Sequence, residues 1–165
     1  MCQSLIEDGL IALIPYTEAD TQDFTACWRD DATQRGYNFI LPDNADGRIF
    51  GEIAAYPFWV VAVEKATGHK LGVLRLSLDR NPDLAIWVYP AYRSKGWGCR
   101  MYRLALDYLF AHGYETVFAG CFAYNTHSLR ILENNGFVRW PEGDVEETSV
   151  FDGNKVTMLG YVCCK

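Results

Sequence analysis

The stretch Val88-Tyr89-Pro90-Ala91-Tyr92-Arg93-Ser94-Lys95-Gly96-Trp97-Gly98-Cys99-Arg100 has the residue types and spacing of an anion-binding turn. Two glycines let the backbone bend sharply and approach a ligand, and they lead into a helical pattern whose first N–H groups have no internal partner. Arg93, Lys95, Arg100 and Arg103 give residues 93–103 a charge of +4 within a chain of −6, leaving −10 elsewhere. A phosphate-bearing cofactor is the simplest ligand for such a turn. Other phosphate-binding turns fail on spacing: G-x-G-x-x-G needs a glycine where Met101 stands, and no G-x-x-x-x-G-K-[ST] occurs. Taken alone, the two glycines also suit a tight strand-to-helix connection with solvated cations.

The elements that must position this turn are readable on both sides of it. Leu10 to Pro15 reads as a first strand, and Thr17 with Asp20 three residues on is a helix-start signal. A helical hairpin region follows to about Ala55, interrupted by Gly36, Pro42 and Gly47, with 38–46 as a loop. Phe58 to Glu64 and Leu71 to Leu78 are β-branched and aromatic runs joined by Ala66-Thr67-Gly68-His69, and Asn81-Pro82-Asp83 turns into a third strand, Leu84 to Val88. Beyond the glycines, Met101, Leu104, Ala105, Tyr108 and Leu109 form one helical stripe closed by Gly113. Then come a strand from Thr116 to Tyr124, a short helix from Asn125 to Asn135, and strands around Phe137 to Trp140 and Val156 to Cys163. The order β-α-α-β-β-β-α-β-α-β-β predicts an α/β (α+β) fold: a mostly antiparallel sheet with one right-handed parallel pair around the crossover helix.

A chain of 165 residues, half of them hydrophobic and 22% charged, suits one domain spanning 1–165 with one buried core. The net negative charge disfavours general binding to nucleic acid or to an anionic membrane surface. The longest apolar stretch, Ile53 to Val63, is eleven residues and contains Pro57, whereas a bilayer span needs roughly 20. The opening Met1-Cys2-Gln3-Ser4 lacks the pattern of a secretory signal, so a cytoplasmic location is expected. Cys2, Cys27, Cys99, Cys121, Cys163 and Cys164 contain no C-x-x-C pair and no histidine at zinc-like spacing, so they read as structural thiols and no metal is expected.

Arg93-Ser94-Lys95-Gly96-Trp97-Gly98 resembles the Q/R-x-x-G-x-G/A motif of the GNAT superfamily of acetyl-CoA-dependent N-acetyltransferases. The run from Tyr124 through Asn125 and Ser128 to Leu132-Glu133-Asn134-Asn135-Gly136-Phe137 is similar to the N-x-x-S-x-x-(V/I)-L-E-x-x-G-F signature of the branch that includes ribosomal-protein N-terminal acetyltransferases. Leu10 to Asp20 is similar to that branch's opening strand and helix start. The two motifs lie about thirty residues apart with a strand between them, and order and spacing agree along nearly the whole chain.

The resemblance implies acetyl-CoA as co-substrate, a primary amine as acceptor (a small molecule or a protein N-terminus) and direct attack in a ternary complex; the sequence leaves monomer and homodimer equally open. It assigns the cofactor's pyrophosphate to the motif at Arg93, with donors at Ser94, Lys95, Gly96, Gly98 and Cys99. The pantetheine arm goes to Ile86, Trp87 and Val88, and a further cofactor contact to Asn125. An amide near Ile86 would face the oxyanion. The amine must be uncharged to attack, and Asp83 falls where many members place the acid that deprotonates it; Asp79 and Glu64 are rivals, and Asn-Pro-Asp is also ordinary turn chemistry. Many members protonate the leaving thiolate from a tyrosine seven residues after the asparagine. Here that position is Leu132, a departure that leaves the proton to Ser128, the serine proposed for this in the ribosomal branch, or to water. Acids at Asp30, Asp31, Asp43, Asp46 and Glu52 fall in the region that contributes the acceptor pocket, hinting at a cationic amine. The alternative within the same fold is a non-catalytic acyl-CoA-binding or sensing module.

Overall fold

Three apolar runs separated by turn residues fold back on one another to make the centre of the sheet. In the computed structural model, which describes residues 3–165, these are β3 (Phe58–Glu64), β4 (Lys70–Ser77) and β5 (Asp83–Val88), paired antiparallel through Val61–Val73 and Val73–Trp87. Met1 and Cys2, which entered the reading of the N-terminus and the cysteine set, lie outside the described residues. Side chains of β3 alternate between two cores: Phe58, Val60 and Ala62 enter one, Trp59 and Val61 the other. A strand buried on both faces reads as a continuous apolar run, which is why the hairpin was easy to see.

The first core lies under α3 (Trp97–Ala111), which contributes Met101, Leu104, Ala105 and Leu109 as its periodicity predicts, and Tyr102 besides. The second is aromatic and lies under α1 (Thr21–Trp28) and α2 (Asp31–Tyr37), the helical hairpin of the first third. Thr17 and Asp20 form the expected start signal, the Asp20 carboxylate accepting from the Thr17 amide and hydroxyl, both at 2.8 Å. One 3-10 turn, Glu18–Asp20, intervenes before α1.

Around this centre run β1 (Ile6–Glu7), β2 (Ile11–Pro15), β6 (Thr116–Phe122), α4 (Thr126–Asn134), β7 (Val138–Arg139), β8 (Val145–Thr148) and β9 (Lys155–Cys164). The strand order is β1-β2-β3-β4-β5-β6-β9-β7, with β8 also on β9. All neighbours are antiparallel except β5 and β6, the parallel pair expected of the crossover through α3. The sequence pattern missed β1 and β8, two and four residues long, and gave β7 twice its length. Such short edge pairs bury too little on one face to leave a period of two.

The parallel pair meets at one place, Asp83 opposite Phe118, where the Phe118 amide donates to the Pro82 carbonyl at 2.7 Å. Past that point β5 and β6 diverge and leave an open edge in the middle of the sheet. The five described cysteines are free, and among the described residues no helix is long and apolar enough to cross a membrane.

Candidate active site

An open strand edge exposes N–H and C=O groups that need partners. On β5 the carbonyls of Leu84, Ile86 and Val88 face the opening and are met by side chains: the Tyr102 hydroxyl on Leu84, the Tyr37 hydroxyl on Ile86 and the Arg93 Nε on Val88 at 3.1 Å. In an antiparallel ladder a residue's N–H and C=O point to the same side, so the Ile86 and Val88 amides also face the opening. Two cavities, of about 490 and 630 Å³, meet there. Both are lined by Gly36, Tyr37, Ile86, Asn125, Ser128 and Ile131.

The smaller cavity runs from this junction to the glycine turn. Ile86, Trp87, Val88, Arg93, Ser94, Gly96, Gly98, Cys99, Asn125 and Ser128 line it, so ten of the twelve residues singled out from the sequence share one space. Lys95 does not line it; its ammonium bonds the Ala91 carbonyl at 2.9 Å and lies over the Tyr92 ring. Asp83 lines the larger cavity instead.

At the turn, Ser94 has φ +59° and Gly96 φ +81°, which bends the chain so that successive amides precede the first turn of α3. The amides of Ser94 to Cys99 donate to no carbonyl among the described residues, whereas that of Arg100 closes the first helical bond, to Gly96. The two glycines have different reasons to be there. A Cβ on Gly96 would meet no protein atom within 4 Å, so its demand is the positive φ. A Cβ on Gly98 would lie 2.8 Å from Ile131 Cδ1 and 3.2 Å from Val88 Cγ2, so this glycine lets α3 approach α4 and β5.

The charge at the turn is arranged differently from the expectation. The Arg93 guanidinium turns away from the amides to Asp30 at 2.7 Å and the Thr33 hydroxyl at 2.6 Å, bracing the turn to the start of α2. Burial works against the Asp30 charge, but the bonds from Arg93 and Thr33 outweigh it and hold that carboxyl below its usual range. Arg100 pairs with Asp8 at 2.5 Å, and Arg103 bonds Asn135 Oδ1 and the Asn134 carbonyl at the end of α4. The cation that does face the cavity is Arg130, exposed on α4 and without a hydrogen bond or ion pair among the described residues. Helical spacing places His127, Arg130 and Asn134 on one stripe, and all three line the cavity, a signal available once α4 was recognised. We expect Arg130→Ala to weaken CoA binding three- to fivefold, as for an exposed ion pair, and Arg103→Ala to leave it unchanged; calorimetric titration with CoA separates them.

The larger cavity holds the carboxylates. Asp83 opens β5 across from Ser77, and burial pushes its carboxyl up to about 6. Asp79 lines the same cavity; Glu64 lines neither and accepts from Thr67 in the hairpin turn. The carboxylates here are Asp79, Asp83, Glu142, Asp144 and Glu147, with Arg80 as the cation. Asp31, Asp43, Asp46 and Glu52 line neither cavity and Asp30 braces Arg93, which corrects the expectation that the acids between the first strand and the hairpin surround the acceptor.

Asn125 caps α4, its Oδ1 accepting from the Ser128 amide at 3.3 Å, and it lines both cavities, so the helix-cap and cavity roles coexist. Burial pushes the Cys121 thiol up to about 11, and its Sγ lies 3.5 Å from the Phe122 carbonyl and 3.6 Å from the Asn125 carbonyl. Leu132, in the place of the absent tyrosine, is 3% exposed and belongs to the first core. Tyr37, which sequence reasoning passed over, stacks on Trp87 at 5.0 Å and 11° with its hydroxyl at the junction. Asn38, left-handed at φ +49°, ties the end of α2 to the β8–β9 hairpin: its amide bonds Glu147 and the Thr148 carbonyl, each at 3.1 Å, and its Oδ1 accepts from Val150.

Solved structures share this fold along almost the whole chain. The crystal structure of an acetyltransferase (GNAT family) from Bacillus anthracis superposes with a TM-score of 0.79 at 16% identity, covering 96% of this chain and 97% of that one. Spermidine N-acetyltransferase from Vibrio cholerae, in complex with CoA and spermine, gives 0.79 at 15% identity over 95% and 96%. The Salmonella typhimurium acetyltransferase that modifies the N-terminal serine of ribosomal protein L7/L12 gives 0.73 at 12% over 99% of both chains. No curated protein sequence matches. The family model described as "Acetyltransferase (GNAT) domain" matches residues 10–138, and the chain belongs to that family, the acyl-CoA-dependent GNAT acetyltransferases.

Proposed function

We propose that this chain transfers an acetyl group from acetyl-CoA to a primary amine by direct attack in a ternary complex. The observation that carries the reading is the meeting of two cavities at the open edge of β5, one ending on unpaired helix-N-terminal amides and the other holding a buried carboxylate. In this reading the pyrophosphate lies on the amides of Ser94 to Cys99, with Lys95 contributing its amide only. Arg93 holds the turn in shape, and Arg130 supplies the facing charge. The pantetheine arm follows Ile86 to Val88, beside Asn125. The Ile86 amide donates to the oxyanion as it forms, a preorganised donor that needs no reorganisation. Asp83 takes the proton of the attacking amine. The α4 signature favours the ribosomal-protein branch, and the carboxylates of the larger cavity suit a cationic amine, either a small molecule or a protein N-terminus.

A ligand that binds only the folded chain stabilises it by RT ln(1 + [L]/Kd), about 2.7 kcal/mol at a hundredfold excess over Kd. We expect acetyl-CoA and CoA to raise the melting temperature by several degrees with a stoichiometry of one, and ATP to do so far less. No shift at millimolar acetyl-CoA would count against the reading. Leu132 in the tyrosine's place favours the alternative, a non-catalytic acyl-CoA-binding module. An amine panel with mass detection and CoA release as readout decides between them: binding without release by any amine would select the module.

A further inference from the structure

The transferred acetyl group must sit where the two cavities join, because only there can a thioester from one side meet an amine from the other. Of the six residues common to both cavities, two carry a hydroxyl, Tyr37 and Ser128. The Ser128 hydroxyl sits in the first turn of α4, where such a group commonly bonds backbone. The Tyr37 hydroxyl lies on the Ile86 carbonyl, at the edge whose neighbouring amide would hold the oxyanion. Its ring is fixed by stacking on Trp87 and by Trp28 at 5.1 Å, so the oxygen is held in place while its O–H stays free to rotate.

Resting on the acetyltransferase reading above, we infer that Tyr37 is the residue that donates a hydrogen bond to the leaving thiolate. As the amine nitrogen bonds the acetyl carbon, the C–S bond breaks and its electron pair stays on sulfur. The phenolic O–H turns from the Ile86 carbonyl to that sulfur and hydrogen-bonds the developing thiolate, which takes its proton from solvent as CoA leaves. Asp83 receives the proton lost by the amine and releases it to solvent, which resets the site. Burial raises the Tyr37 phenol above its ordinary value, which keeps it protonated before each turnover; the nearby Asp83 charge acts the same way. A tyrosine delivered by α2 thus fills the place left by Leu132 on α4. The interrupted helical pattern around Gly36 gives no hint of this, because the partner carbonyl is 49 residues away.

The test reads the sulfur directly. Tyr37→Phe keeps the ring and its stacking, and CoA should bind it with unchanged affinity. The thiol of bound CoA, followed by thiolate absorbance against the desulfo-CoA complex, should titrate about one pH unit higher in Tyr37→Phe than in the wild type, as expected for loss of a hydrogen bond to a charged sulfur. With the best amine, kcat should fall about 100-fold, and a larger thiol shift in Ser128→Ala than in Tyr37→Phe would overturn the inference in favour of Ser128. Identical thiol titration in Tyr37→Phe and wild type would overturn the inference whatever happens to kcat. Loss of CoA affinity in Tyr37→Phe would also overturn it, by making the hydroxyl a binding group. A wild type that shifts the thiol through Tyr37 yet acetylates no amine would leave the hydrogen bond standing and remove the proposed function.

Discussion

Replacing Asp83 with asparagine is expected to lower the turnover number 100- to 1,000-fold at neutral pH and, at the same pH, to make the protein more stable. Both effects have one cause. Burial raises the Asp83 carboxyl to about 6, against an ordinary value of 3.8, and no compensating partner among the described residues offsets it. A group whose folded pKa is raised holds extra protons in the folded state between those two values. Its contribution to stability is therefore greatest below about pH 4, declines as pH rises and has reached its full cost above about pH 6. That cost is at most about 3 kcal/mol, and asparagine, which never ionises, removes it. Melting curves of wild type and Asp83→Asn should converge near pH 4 and separate by several degrees at pH 7, the variant melting higher. The rate should show the complementary pattern. Wild-type kcat/KM should climb through about pH 6 as the base loses its proton; in the variant that limb disappears, and activity rises only as the amine itself deprotonates. A variant with full activity and the same acid limb would move the base to Asp79 or to a water chain.

The second large effect separates the two glycines of the turn. Gly96→Val places a β-branched residue at φ +81°, which costs roughly 1–3 kcal/mol unless the turn rebuilds. No protein atom obstructs its Cβ, so the strain should be relieved by reshaping the amides that face the cofactor. Acetyl-CoA affinity is expected to fall at least tenfold, with little change in the melting temperature. Gly98→Val should do the reverse. Its Cβ would press on Ile131 and Val88, and overpacking of this kind costs typically 1–3 kcal/mol, a drop of several degrees for a chain of this size. Equilibrium dialysis with acetyl-CoA and a thermal melt on both variants distinguish the two. Equal loss of affinity at equal stability would mean that both glycines serve the ligand directly.

Much of the site was legible because its pieces are local. The glycine turn, the Asn125 cap and the stripe of α3 each occupy a dozen residues or fewer, so spacing alone exposes them. The meander was legible because two-sided burial leaves unbroken apolar runs. What spacing could not expose is pairing across the chain. Arg93 looked like a phosphate ligand until Asp30, 63 residues earlier, was found in its fork. The acids of the larger cavity come from the turn before β5 and from residues 142–147, segments that share no sequence neighbourhood. Tyr37 lay in a stretch where Gly36 weakened the helical signal. That glycine is itself explained by the structure, since a Cβ there would come within 3.1 Å of Asn125 Nδ2.

The helix α2 is seven residues long, about 10 Å from end to end, and it is bolted at both ends: Asp30 and Thr33 to the Arg93 brace, Asn38 to the β8–β9 hairpin. Its length therefore sets the spacing between the glycine turn and the β8–β9 hairpin, which border the smaller and the larger cavity. One added residue would advance the far bolt by about 1.5 Å and swing it by about 100°, breaking the tie to the hairpin and carrying Tyr37 away from Ile86 in the same stroke. Evolutionary freedom is divided accordingly. The connection between α2 and β3, which lines neither cavity, can change in length and composition, whereas α2 can vary its outward residues but not their number, and the β8–β9 hairpin must keep the backbone that Asn38 bonds.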